Sequence, residues 1–322
     1  MIKKKKFIFS LVALLFIGIL SSCGTEEISQ KITGDTSETK ELRLSFGVMP
    51  AVDSLPVYVA QKEGFFEAEG LTVDLQVFKS PKDRDAALTS GNLDGANTDL
   101  IAVSTYLEGD MDFQVVSQST GVFSILTNNP EIQTVTDLKG KKVGLKKDQA
   151  PYYFMAKSLE TRGLEVADIS YEEVPQIPIR VELVTNQKLD ATVVPEPFRT
   201  IGLSNGLREL DNSNELDINA TVFGFTTKSL EENSEAISAF YKGYNQAVDY
   251  INDNELDDYY SIMKDNIGYT EEIKGRVTLP PYTHAEQVEV DQLTDALKWS
   301  KQQGIYSKEL KPDEVLSDFL ER

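Results

Sequence analysis

The chain has 322 residues, a formal charge of −20, one histidine and one cysteine. An excess of acids this large repels phosphate backbones and anionic headgroups, which argues against nucleic acid as a partner. A lone cysteine forms no internal disulfide, and one cysteine with one histidine falls short of a zinc ligand set.

Lys3, Lys4, Lys5 and Lys6 precede an apolar run from Phe7 to Leu20, closed by Leu20-Ser21-Ser22-Cys23. A basic start, a short apolar core and small residues before a cut describe an export signal, and the run is short for a membrane span. Leu-Ser-Ser-Cys resembles the lipobox of bacterial lipoproteins. That resemblance implies removal of residues 1–22 and lipidation of Cys23, placing the protein on the extracytoplasmic face of the cell membrane. Without the first 22 residues the formal charge is −24, so attachment rests on the lipid and not on charge. Residues 23–40 then form the lipidated cysteine and a tether, because Gly24–Lys40 has too little apolar surface to offset the entropy of ordering.

In the body, residues 41–49 alternate as a strand, and Ser54 is placed to cap a helix from Leu55 with Pro56 in its first turn. Gly64–Gly70 ends that helix, and residues 71–78 alternate again. Ser80-Pro81-Lys82-Asp83 has the spacing of a capping box and opens another helix that stops at Gly91. A short strand over 93–97 leads to Thr98-Asp99, a cap for a helix through Leu107, and 113–116 is a further strand. A second series follows: strands at 142–145, 171–174 and 189–194 alternate with helices at 151–162 and 177–187. Beyond an extended apolar run at 220–227 the spacing is helical over 234–251, 288–303 and 313–320. Alternation of this kind predicts an α/β fold with largely parallel sheets.

One echo links the two series. Leu88-Thr-Ser-Gly-Asn-Leu-Asp-Gly95 aligns without gaps with Val184-Thr-Asn-Gln-Lys-Leu-Asp-Ala191, each a helix end, a turn and a short strand. One unit per series suggests two lobes of similar build.

Residues 55–73 (LPVYVAQKEGFFEAEGLTV), 87–95, Asp137-Leu-Lys-Gly-Lys-Lys-Val-Gly144 and Leu189-Asp-Ala-Thr-Val-Val-Pro-Glu-Pro197 carry a resemblance. Together they are similar to the nitrate/sulfonate/taurine-type solute-binding proteins of ABC importers, within the periplasmic-binding-protein type II superfamily. The likeness covers residues 42–320. It implies a two-lobed fold with two hinge-crossing strands, with residues 42–121 plus 225–322 as lobe 1 and 122–224 as lobe 2. The hinge candidates are the apolar runs 122–127 and 220–227. It also implies capture of a small solute between the lobes and its delivery to an ABC permease driven by a separate ATPase subunit. The protein is expected to be a monomer, without cofactor or metal, and not an enzyme.

In open α/β sheets ligands sit beyond the carboxyl ends of the strands, where helix N-termini present free N–H groups. The loops that satisfy this contain Asp53, Ser54, Ser80, Thr98, Asp99, Gln149, Gln176 and Glu196 as candidate ligand-binding residues. An anion such as nitrate or a sulfonate would use helix N-termini with Lys79, Lys146, Lys147 and Arg180. A solute with amino groups, such as an aminopyrimidine, would use the carboxylates, with Tyr58, Tyr152, Tyr153 or Phe198 stacking on it. Both ligand classes stay open at this level. His284, the single histidine, follows Pro280-Pro281 and is expected to be a surface or lobe-packing residue. The alternatives are a lipoprotein sensor or adhesin on the same scaffold, or an enzyme like those of menaquinone or thiamine-pyrimidine synthesis. The latter are cytoplasmic, against the direction given by residues 1–23.

Overall fold

The computed structural model describes residues 41–309 and 311–322. The signal segment, Cys23 and the tether to residue 40 lie outside the described residues. The first series runs β1 (Leu42–Val48), α1 (Leu55–Lys62), α2 (Phe65–Ala68), β2 (Leu71–Val77), α3 (Pro81–Thr89), β3 (Gly95–Asp99), α4 (Leu100–Glu108) and β4 (Phe113–Gln118). The second runs β5 (Phe123–Thr127), β6 (Lys142–Leu145), α5 (Ala150–Glu160), β7 (Ser170–Glu173), α6 (Ile177–Thr185), β8 (Ala191–Pro195), α7 (Phe198–Ser204) and β9 (Arg208–Asn212). β10 (Thr221–Thr226) precedes α8 (Thr227–Glu232), α9 (Ser234–Asp253), α10 (Leu256–Asn266), α11 (Val290–Gln302) and α12 (Pro312–Val315).

Two five-stranded sheets result, ordered β2-β1-β3-β10-β4 and β7-β6-β8-β5-β9. In each, one strand runs against its neighbours: β10 is antiparallel to β3 and β4, and β5 to β8 and β9. This is the α/β, two-lobed periplasmic-binding-protein architecture with the same topology in both lobes.

The echo read in the sequence is a repeated structural device. Asp94 takes the N–H of Ser45 on its carboxylate at 2.8 Å and gives its own N–H to the Ser45 carbonyl at 2.9 Å. Asp190 does the same to Lys142, with both contacts at 2.8 Å. The leucine before each aspartate covers a glycine, Gly47 on β1 or Gly144 on β6. A Cβ on Gly47 would lie 2.7 Å from the Leu93 side chain, and one on Gly144 would collide with Leu189 in the same way. The correspondence extends to two buried arginines, Arg84 and Arg180. Each donates to the carbonyl of the residue 13 positions on, Asn97 or Val193.

The apolar runs taken as hinge candidates are strands inside the sheets. β5 pairs through all of Phe123–Thr127, and β10 pairs with β3 from Thr221. The crossings therefore lie just outside them, at 119–122 and at 213–220, and a lobe boundary at 224/225 would cut β10. The crossings are bonded to each other, Asn219 Nδ2 donating to the Ser119 carbonyl at 2.7 Å, and Ser119 is also tied to the first residue of β10, its N–H donating to the Thr221 carbonyl at 2.9 Å. The helix expected over 313–320 is also shorter. Leu316 leaves it to bridge Val115, and Ser317 N–H donates to the Val115 carbonyl at 2.9 Å.

α9 covers the first sheet with Phe240, whose ring centroid lies 4.6 Å from that of Phe46 on β1. α4 and α5, one from each series, share a hydrophobic core with Trp299 of α11.

Candidate functional site

The carboxyl end of β1 turns through Val52–Ser54 into α1, and that of β3 runs directly into α4. This brings Asp53, Ser54, Thr98 and Asp99 together, all of them buried. Asn97 joins them by donating to Ser54 Oγ at 3.2 Å. Ser54 stands at the cap position of α1, yet its hydroxyl is engaged there and not as a cap. Thr98 Oγ1 lies 2.9 Å from the Tyr106 hydroxyl. Asp99 caps α4, its Oδ1 accepting from the N–H groups of Ile101 (3.0 Å) and Ala102 (2.9 Å).

Two buried oxygens here lack partners among the described residues: Asp53 Oδ1 and, at the crossing, Ser119 Oγ. Burial pushes the Asp53 carboxyl up to about 6, against the pull of the Asn97 amide and the Arg84 charge. Burial also pushes Asp99 up to about 6, opposed by its capping N–H groups and Arg84.

From the second series, Gln149 is buried at the start of α5, and Glu196 follows β8 with 2 % exposure. Glu196 accepts from Thr200 N–H (3.2 Å), Thr200 Oγ1 (3.0 Å) and Arg199 (3.4 Å), and from the hydroxyl of Tyr269 at 3.3 Å. Tyr269 belongs to the hydrophobic cluster of the first sheet. Tyr282, whose hydroxyl donates to the Val52 carbonyl at 2.9 Å, stands close enough to Asp53 and Tyr269 to feel both. Carboxylates of the two lobes thus belong to one buried polar array.

Ser80 and Gln176 do not join it. Ser80 is occupied as the cap of α3, accepting from Asp83 N–H at 3.2 Å and donating to its carboxylate at 2.8 Å. Gln176 starts α6 with its side chain exposed. The rings considered for stacking are engaged in packing. Tyr152 and Tyr153 meet Trp299 edge-on at 5.5 and 5.2 Å, Tyr58 donates to the Met49 carbonyl, and Phe198 packs on a small cluster with Val194. His284 is exposed and bonded to Asp249 at 2.7 Å.

Of the cations considered for an anion, Arg180, Lys146 and Lys147 are engaged as well. Arg180 is fully buried and donates to the carbonyls of Val174 (2.6 Å), Pro175 (3.3 Å) and Val193, with burial pushing it down to about 10. Lys146 pairs with Asp148, Lys147 lies 4.7 Å over the Tyr171 ring, and Arg199 is held by Glu209 at 2.8 Å. Lys79 is exposed. Among the described residues, Asp53 Oδ1 remains a buried carboxylate oxygen without a hydrogen-bond partner.

Sequence reasoning did not reach Asn97, Tyr269 or Tyr282, and it did not single out Ser119. Tyr269 stands 73 positions from Glu196, and no local pattern marks that distance. Ser119 carried a signal, as a small polar residue just after a strand end.

Two lobes of one topology, with buried polar groups gathered at their strand ends, define a two-lobed periplasmic-binding-protein type II fold. The chain belongs to the NMT1/THI5-like family, whose model matches residues 51–255. No curated protein matches the sequence. Among solved structures it is similar to the periplasmic aliphatic sulphonate binding protein SsuA from Escherichia coli, with a TM-score of 0.76 and 18 % identity over 86 % of this chain and 98 % of that one. It is also similar to the periplasmic nitrate-binding protein NrtA from Synechocystis PCC 6803, with a TM-score of 0.73 and 15 % identity over 88 % of both chains. The desulfurization enzyme DSZB shares the fold as well, with a TM-score of 0.65 and 13 % identity over 87 % of this chain and 98 % of that one. At these identities the likeness describes the fold.

Proposed function

We propose that the protein is the extracytoplasmic solute-binding component of an ABC importer, tethered through a lipidated Cys23, and that its solute presents an amino or other N–H group. The observation that carries the solute class is Asp53 Oδ1, a buried carboxylate oxygen without a partner among the described residues. A buried acceptor left unmatched opposes the closed state, and a donor from the solute removes that penalty. Arg180, Lys146, Lys147 and Arg199 already have protein partners, which speaks against a bare anion. The family and the likeness to SsuA and NrtA support the binding-protein role. In this reading a monomer closes on the solute and docks on a permease coupled to a separate ATPase, and neither a cofactor nor a metal takes part.

A thermal-shift screen tests the reading, with nitrate, bicarbonate and alkyl sulfonates set against aminopyrimidines, thiamine and small amines. Solute at a hundred times its dissociation constant adds about 2.7 kcal/mol, a shift of several degrees for a body of this size. Stabilisation by the amino class, lost in Asp53→Asn, supports it. A response to the anions alone overturns the solute class.

A further inference from the structure

We infer that Glu196 and Tyr269 form a latch between the lobes, and that Glu196 acts as its acceptor, not as a contact for the solute. The inference rests on the binding-protein reading and assigns a different role within the same site. Glu196 has two oxygens and four donors on them. Three come from its own lobe, from Thr200 N–H, Thr200 Oγ1 and Arg199. The fourth is the Tyr269 hydroxyl of the other lobe. With Glu196 at 2 % and Tyr269 at 3 % exposure, there is no open edge of the carboxylate for a further ligand. Burial and the Glu196 charge push the Tyr269 hydroxyl far above its ordinary value, so it keeps its proton and donates at every relevant pH.

The elements around the pair tie this contact to lobe motion. α7, which starts next to Glu196, packs on the short helical turn Glu271–Arg276 that follows Tyr269. Tyr269 also neighbours Tyr282, which stands by Asp53. Asp53 and the latch therefore act on one equilibrium with opposite signs. The open carboxylate of Asp53 disfavours the empty closed state, and the Tyr269–Glu196 bond favours it. A solute donor on Asp53 removes the first effect and leaves the second. A hydrogen bond to a charged acceptor, worth more than a neutral one, should change the closed-to-open ratio about tenfold when removed.

The test uses the full chain with Cys23→Ser, labelled for single-molecule energy transfer through Lys82→Cys on α3 and Glu182→Cys on α6, both exposed. Closed-to-open ratios are measured on the empty protein for the latch-intact form, Tyr269→Phe, Glu196→Gln and the double variant. Each single variant is expected to lower the ratio, Tyr269→Phe about tenfold and Glu196→Gln less because its amide still bonds the hydroxyl without the charge, and the double variant little beyond Tyr269→Phe, since both act on one bond. Equal ratios in all four, additive effects, or no closed population in the latch-intact form would each overturn the latch. Should Tyr269→Phe fail to fold, Glu196→Gln alone decides by whether its ratio falls. Because no solute is present, a failed solute screen leaves this result standing, and additivity leaves the binding-protein reading untouched.

Discussion

Asp53 is where burial, charge and function conflict most directly. A carboxyl whose folded pKa lies above its unfolded value holds its proton more tightly when folded, so stability falls as pH rises. For Asp53 and Asp99, raised from 3.8 to about 6, that loss runs from about pH 4 through about pH 6. Asp53→Asn removes its part. At pH 7 the empty variant should melt several degrees higher than the native protein, a gain on the order of 2–3 kcal/mol, and the gap should close near pH 4. Melting curves at the two pH values check this; a gap of equal size at both would rule out the buried charge as its source. Asp53 and Asp99 were legible because a polar residue after a strand and before a helix is a local pattern. Gln176 fits the same pattern yet faces solvent, since position in a loop does not fix which way a side chain points. Tyr269 was invisible for the opposite reason: only the tertiary fold brings it to Glu196.

At the scale of elements, the repeated aspartate clasp makes a comparative prediction. Asp94 takes Ser45 N–H and also the Ser229 hydroxyl (2.7 Å) and the Asn233 amide (3.1 Å), which fasten α8 and the start of α9. Asp190 takes Lys142 N–H and the Asn129 amide at 3.0 Å. Asp94→Ala should therefore cost about 2 kcal/mol and Asp190→Ala about 1 kcal/mol, read from urea midpoints at constant slope. Gly144→Ala, by forcing Leu189 aside, should cost about 1–3 kcal/mol in the same assay. Equal midpoints for the two aspartate variants would deny the extra contacts their weight. β1 and β2 were readable from alternation, whereas β9 was not. Its sequence, RELDN, shows no apolar period, and it is a strand because β5 pairs with it and Arg199 grips Glu209. α10 was missed because its buried face, Tyr259, Tyr260, Ile262 and Met263, is interleaved with an acidic first turn.

For the whole molecule, the sequence prepared the reader for two similar lobes, and the doubled sheet order bears out that architecture. The apolar runs offered as hinge candidates are for the most part paired strands. Apolar runs looked like connectors because a fully buried strand and a crossing segment share the same composition, and only pairing partners separate them. The proposed anchor has a direct check. Cys23→Ala should shift the protein from the membrane fraction to the soluble one, and continued membrane association would contradict lipidation at Cys23.

The placement of β10 also dictates an order of assembly. All five strands of the second sheet lie between Phe123 and Asn212, so that lobe can close as soon as its last strand is available. The first sheet has no such freedom. β3 and β4 meet only through β10, which emerges about a hundred residues after β4. Until then β3 and β4 are separated by a gap bounded by two unsatisfied strand edges, the kind of surface on which chains aggregate. The lobe that begins the chain is thus the one completed last, and protection by chaperones during biogenesis should matter most for that half.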